Sequence, residues 1–279
     1  MTRSAATWQH CAAVDRDRLR RIRNFQSLDF YPALVLRPLT ILIMLVVADW
    51  KWLTPNLLTS LCNVAKLVAV GLILMGEPGS LIAAAIVLQV AGVLDNMDGT
   101  MARYRGAASP LGSYYDKVSD VITWFPIVVA IGWVAQERSA DGMMILLPAV
   151  SAYCLAVMGY LKWLVYYERQ RLLWLEARSD PSAAVAEQCK REPVSTPPDR
   201  SAARWVRWLL WKLVQAARFE EIDLYFWVGL FLILNELEIL MWILGITQCL
   251  QLAAMVFVRT REIHRIDRDV RAQRSTTPE

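Results

Sequence analysis

The chain has 279 residues, 56% hydrophobic and 20% charged, with a net charge of +4 and a mean hydropathy of +0.33. A soluble domain of this size is less apolar, and here apolar and charged residues are segregated along the chain. Runs such as Leu57–Met75, Leu81–Leu94, Val118–Ala135 and Met143–Val157 hold almost no charge, while Asp15–Arg23 and Glu168–Arg218 are dense with it. That pattern excludes a soluble globular enzyme, a disordered chain and a disulfide scaffold. The five cysteines form no CxxC pair, and the two histidines, His10 and His264, lie near the termini. Chemistry in the middle of the chain must therefore use other residues. The basic tails and linker lack aromatic-interleaved nucleic-acid motifs and suit anionic lipid headgroups instead.

In chain order, residues 1–30 read as a charged cytoplasmic arm with no cleaved signal peptide. Residues 31–167 follow as the membrane core. Within it Leu39–Ala48 is apolar but short of the ~20 residues a span needs, which suits an interfacial amphipathic helix; a further span is the competing reading. Thr54 and Pro55 signal the start of span one, which runs to about Met75. Gly76-Glu77-Pro78-Gly79 turns the chain into span two, from about Ser80. Span three covers about Leu111–Ala135 and span four Met143–Tyr167. Residues 168–218 form a cytoplasmic linker. Its segment 179–201, with four prolines, has no apolar periodicity and is expected to be flexible. Arg204–Phe219 alternates Trp with Arg and Lys, as a surface helix does. Residues 219–279 hold span five, ending near Leu234, span six at Ile239–Val258, and a basic tail. The expected fold is therefore all-α and integral to the membrane, with six transmembrane helices plus the interfacial one. Loops 76–79, 136–142 and 235–238 contain one arginine among five acids, so the remaining, basic segments and both termini are assigned to the cytoplasm.

The join between spans two and three breaks the segregation. Asp95 and Asp98 stand at i, i+3 on one helix, and Asp116 and Asp120 at i, i+4 on the next. Each spacing sets both carboxylates on one helical face, and a short turn forces the two helices antiparallel. Four converging carboxylates in a low dielectric need cations to neutralise them. Oxygen ligands without Cys or His select Mg2+ or Mn2+, and two such ions can hold a diphosphate. Gly99 allows a ligand close to the backbone, Ala102 keeps that face low, and Arg103 offers a fork for phosphate. Lys66, midway along span one, is either a functional cation reaching the acids or an acceptor phosphate, or a charge that snorkels or makes a structural ion pair. Lys162, Arg169 and Arg218 are weaker candidates for an anionic acceptor, with membrane anchoring as the alternative.

Asp95-x2-Asp98-Gly99-x2-Ala102-Arg103-x8-Gly112-x3-Asp116-x3-Asp120 resembles, at every fixed position, the signature of the CDP-alcohol phosphotransferases. Thr54-Pro55-Asn56-Leu57-Leu58-Thr59 is similar to that family's first-span start. The resemblance implies transfer of a phospho-alcohol group from a CDP-alcohol to an acceptor hydroxyl in phospholipid synthesis, with release of CMP. It implies Asp95, Asp98, Asp116 and Asp120 as ligands of the metal pair, with Asp116 and Asp120 catalytic and Asp120 also the general base. Gly99, Ala102, Arg103, Ser109 and Gly112, with Asn56 and Thr59, would surround the CDP part. CDP-diacylglycerol is the expected donor; a small CDP-alcohol with a lipid or polyol-phosphate acceptor is the alternative. Homodimerisation is also implied by the resemblance. A divalent-cation transporter is the remote reading, disfavoured because the acids cluster at one interface and no inverted repeat is present.

Overall fold

A computed structural model describes residues 18–19, 21–22, 31, 35–179, 205–206 and 223–276. These form seven helices and no strand: α1 (Arg37–Val47), α2 (Pro55–Leu74), α3 (Pro78–Tyr104), α4 (Pro110–Ser139), α5 (Met143–Ser179), α6 (Asp223–Leu234) and α7 (Leu237–Thr276).

Five of them, α2–α5 and α7, are long and apolar enough to cross a membrane. The expected fifth span is represented by α6, whose 12 residues reach about 18 Å against a ~30 Å hydrocarbon core. Residues 216–222, from which it was expected to gain length, lie outside the described set, as do segment 180–201, residues 207–215 and most of the N-terminal arm. α1 has only 11 residues and matches the expected short helix before span one. It buries Thr40 and Met44 and exposes Leu39, Leu42 and Val46.

Local sequence explains where the helices carrying the acids begin. Thr54 caps α2, its hydroxyl accepting the Leu57 N–H at 3.2 Å, with Pro55 in the first turn. Ser109 caps α4 in the same way through the Gly112 N–H at 3.0 Å, with Pro110 following. Both caps set the register of the polar residues one to three turns further along. Between α3 and α4, Gly106 takes a positive φ of 63°, which closes the short turn and returns the chain antiparallel.

The described residues fall into two compact units. One holds α1–α4, α6 and the start of α7; the other holds most of α5 and α7. In the first, α2 packs on both α3 and α4, while α6 and α1 pack on α3. Met44 of α1 and Ala48 just after it join Leu58, Met97 and Met101 in one buried cluster, next in sequence to Asp98. Arg105 locks this end of the unit. Its guanidinium donates to the carbonyls of Ala48, Trp50 and Leu53 at 2.7–3.1 Å, tying the α3–α4 turn to the α1–α2 turn. In the second unit α5 and α7 adjoin: the Cys154 and Cys249 sulfurs lie 3.9 Å apart and Arg169 pairs with Glu262 at 3.5 Å.

Candidate active site

Three helices of the first unit bring polar groups to one place. α3 supplies Asp95 and Asp98, α4 supplies Asp116 and Asp120, and α2 supplies Thr59, Cys62 and Lys66, all three on one face by their i, i+3, i+7 spacing. One oxygen each from Asp95, Asp98 and Asp116 lies within 4.8 Å of the others. That separation lets a single small cation touch all three. The donor set is carboxylate only, which fits a hard divalent ion and disfavours zinc or copper.

Asp98 is the most enclosed of the three and is held at both oxygens. Thr59 donates its hydroxyl to Oδ2 at 2.6 Å, and the Gly99 backbone N–H donates to Oδ1. These donors fix the carboxylate's orientation, and hydrogen bonds to an ionised oxygen are the strong kind. Asp95 has the Cys62 thiol 4.0 Å from its Oδ1.

Asp120 is not part of the three-carboxylate group. Its Oδ1 receives the Lys66 ammonium at 2.5 Å; the Lys66 side chain is fully buried while that of Asp120 stays 21% exposed. Trp124 of α4 and Tyr225 of α6 flank the cation, with Nζ 5.9 and 5.6 Å from their ring centres, and the two rings meet edge-on at 4.8 Å. Of the alternatives open for Lys66, the structure places its ammonium on one of the four motif acids and excludes snorkelling to the surface.

The remaining motif residues gather toward the α3–α4 turn. A Cβ at position 99 would stand 3.2 Å from Arg103 Nη1, so glycine leaves room for the guanidinium to lie over the helix backbone. Arg103 is exposed and Nη2 reaches Thr100 Oγ1 at 3.4 Å. Gly112 sits between Ser109 and Asn56: a Cβ there would meet Ser109 Oγ at 3.2 Å and Asn56 Oδ1 at 3.6 Å. Ala102 is half-buried on α3, and its carbonyl accepts the Ala107 N–H at 2.8 Å in the turn. Lys117 is exposed, on a different face from the acids.

Sequence reasoning missed Cys62, Trp124 and Tyr225 as neighbours of the acids. Cys62 was legible in principle, one turn from Thr59 and one from Lys66 on the same face. Tyr225 was not, because 159 residues of chain separate it from Lys66 and only helix packing joins them.

Across known proteins, residues 52–174 match the model of a family described as CDP-alcohol phosphatidyltransferase. The match spans α2, α3, α4 and most of α5, and therefore every residue of the acidic cluster. No curated protein matches the chain significantly.

Proposed function

We propose that the chain, whose residues 52–174 match the CDP-alcohol phosphatidyltransferase family model, acts as a member of that family, whose members are phosphotransferases. It is a membrane-embedded, divalent-metal-dependent transferase. It moves the phosphatidyl group of CDP-diacylglycerol to the hydroxyl of a soluble acceptor, such as a polyol phosphate, and releases CMP. The observation that carries this reading is the three-carboxylate group of Asp95, Asp98 and Asp116 beside a separately held Asp120.

Asp95, Asp98 and Asp116 would hold Mg2+ or Mn2+, with Asp120 completing a two-metal set. Bound there, the metal ions would offset the diphosphate charge and make CMP a better leaving group. Thr59 and the Gly99 N–H keep the Asp98 carboxylate aimed, so little reorganisation is needed when substrate arrives. Arg103, exposed over Gly99, presents a planar fork to a phosphate. Asn56, Ser109 and Gly112, grouped at the starts of α2 and α4, would line the CDP part with Gly99, Ala102 and Thr59. Asp120 would take the proton from the acceptor hydroxyl, since no histidine lies in this part of the chain.

The α4 helix also presents an apolar, bilayer-facing surface. Leu111, Tyr114, Val118, Val121, Ile122 and Phe125 are exposed along the helix that carries Asp116 and Asp120. By helical periodicity this strip lies on the face of α4 opposite Asp116 and Asp120, where a spanning helix meets acyl chains. The six-span topology, the cytoplasmic orientation of the site and both termini, and a homodimeric assembly are parts of the same proposal. They rest on loop charge and family expectation.

Purified protein in lipid vesicles, offered CDP-diacylglycerol or small CDP-alcohols against polyol-phosphate and lipid acceptors, tests the substrate assignment. CMP release is expected from CDP-diacylglycerol with a soluble acceptor. Release from small CDP-alcohols alone would replace the donor assignment, and release from none would remove the transferase reading.

A further inference from the structure

Lys66 lies 11 residues past Pro55 on α2, roughly 17 Å along the helix at ~1.5 Å per residue. An ammonium at that depth is costly, and a Leu or Met would pack there with less penalty. The side chain is nevertheless fully buried, with the Asp120 carboxylate 2.5 Å from Nζ and two aromatic faces beside it. Helix geometry alone puts Asp120 one turn from Asp116 on the same face of α4, so register does not separate the two.

We propose that Lys66 is a positioning residue for the acidic cluster. Its ammonium orients Asp120 through Oδ1 and supplies fixed positive charge that lets the four carboxylates share this site before a divalent cation arrives. Asp120 is thereby kept at a defined place with a partly exposed edge, beside the three-carboxylate group of Asp95, Asp98 and Asp116. Trp124 and Tyr225 confine the ammonium, since each ring face attracts a cation and neither offers it a competing anion. The inference rests on the proposed metal-dependent transfer for its catalytic arm and on the ion pair alone for its stability arm.

Full-length Lys66→Met and Lys66→Met/Asp120→Asn proteins test it, with thermal unfolding measured in detergent with and without saturating Mn2+. The single variant leaves a carboxylate unpaired among three others, so its metal-free Tm should fall clearly below wild type. Removing the second charge in the double variant should restore most of that loss, because paired deletion avoids an uncompensated buried charge. Mn2+ replaces the missing positive charge, so its stabilising shift should be larger in Lys66→Met than in wild type. In turnover, kcat should fall about 100-fold while KM for the CDP-alcohol stays within about 3-fold, as for a group acting on the reacting end alone. A single variant that fails to fold while the double variant folds would also support the pair. Equal Tm losses with and without Mn2+, or a double variant no more stable than the single, would make Lys66 a packing residue and overturn the proposal. If wild type shows no Mn2+ shift, the metal reading fails, and the metal-free comparison of single and double variants still decides the role of Lys66.

Discussion

The two compact units place charge in opposite ways. In the first, several charged groups sit within helices with specific partners: Lys66 with Asp120, Asp98 with Thr59 and the Gly99 N–H, and buried Asp223 with the Tyr31 N–H at 3.2 Å. In the second, ion pairs cluster toward the C-terminal parts of α5 and α7. Arg169–Glu262, Arg171–Glu168 and Arg271–Asp267 each keep one arginine more than half exposed. Surface pairs of that kind contribute little, while charge inside a span is retained only where something uses it. The contrast separates chemistry from anchoring more cleanly than the total charge of either unit does.

The largest effect should come from the enclosed acids. Asp98→Asn is expected to lower CMP release at least 1,000-fold, on the order of losing a metal ligand. The same change should keep or raise the metal-free Tm, because it removes one of several like charges at short range. Loss of both activity and stability would break the comparison, since it would make Asp98 a structural acid.

A smaller effect is expected where a half-buried cation holds backbone rather than substrate. Arg105→Ala strips the carbonyls of Ala48, Trp50 and Leu53 of their shared donor and should cost about 2–3 kcal/mol of stability. CMP release per folded molecule should change far less than in Asp98→Asn. Chemical unfolding in detergent, paired with CMP release from the same preparations, measures both.

The smallest belongs to the second unit. Arg169→Ala removes a half-exposed partner of Glu262, which keeps Arg259 at 2.6 Å. Stability should shift by less than about 0.5 kcal/mol and turnover by less than about 2-fold. A large rise in KM for an anionic acceptor would instead return Arg169 to the substrate-binding candidates.

These expectations also mark how far the sequence could be read. The four aspartates were legible because helical spacing and the cost of clustered charge both act locally. So were the Thr54 cap and the start of α2, which depend on three consecutive residues. The pairing of Lys66 with Asp120 was not, since it requires α2 and α4 to pack at a particular rotation and α6 to close the third side with Tyr225. The same limit applies to Arg105, whose three carbonyl partners lie more than 50 residues away and offer no side chain for a pattern to reveal. The expected fifth span shows a different limit. Asp223–Leu234 is strongly apolar, so the presence of a helix was clear, but composition did not set its length.

The most direct test is CMP release from CDP-diacylglycerol by the purified wild-type protein, first with a strong divalent chelator and then with Mg2+ or Mn2+ restored. Release that stops under the chelator and returns with the metal is the predicted result. Release that continues without any divalent cation would contradict the assignment of Asp95, Asp98 and Asp116 as its ligands.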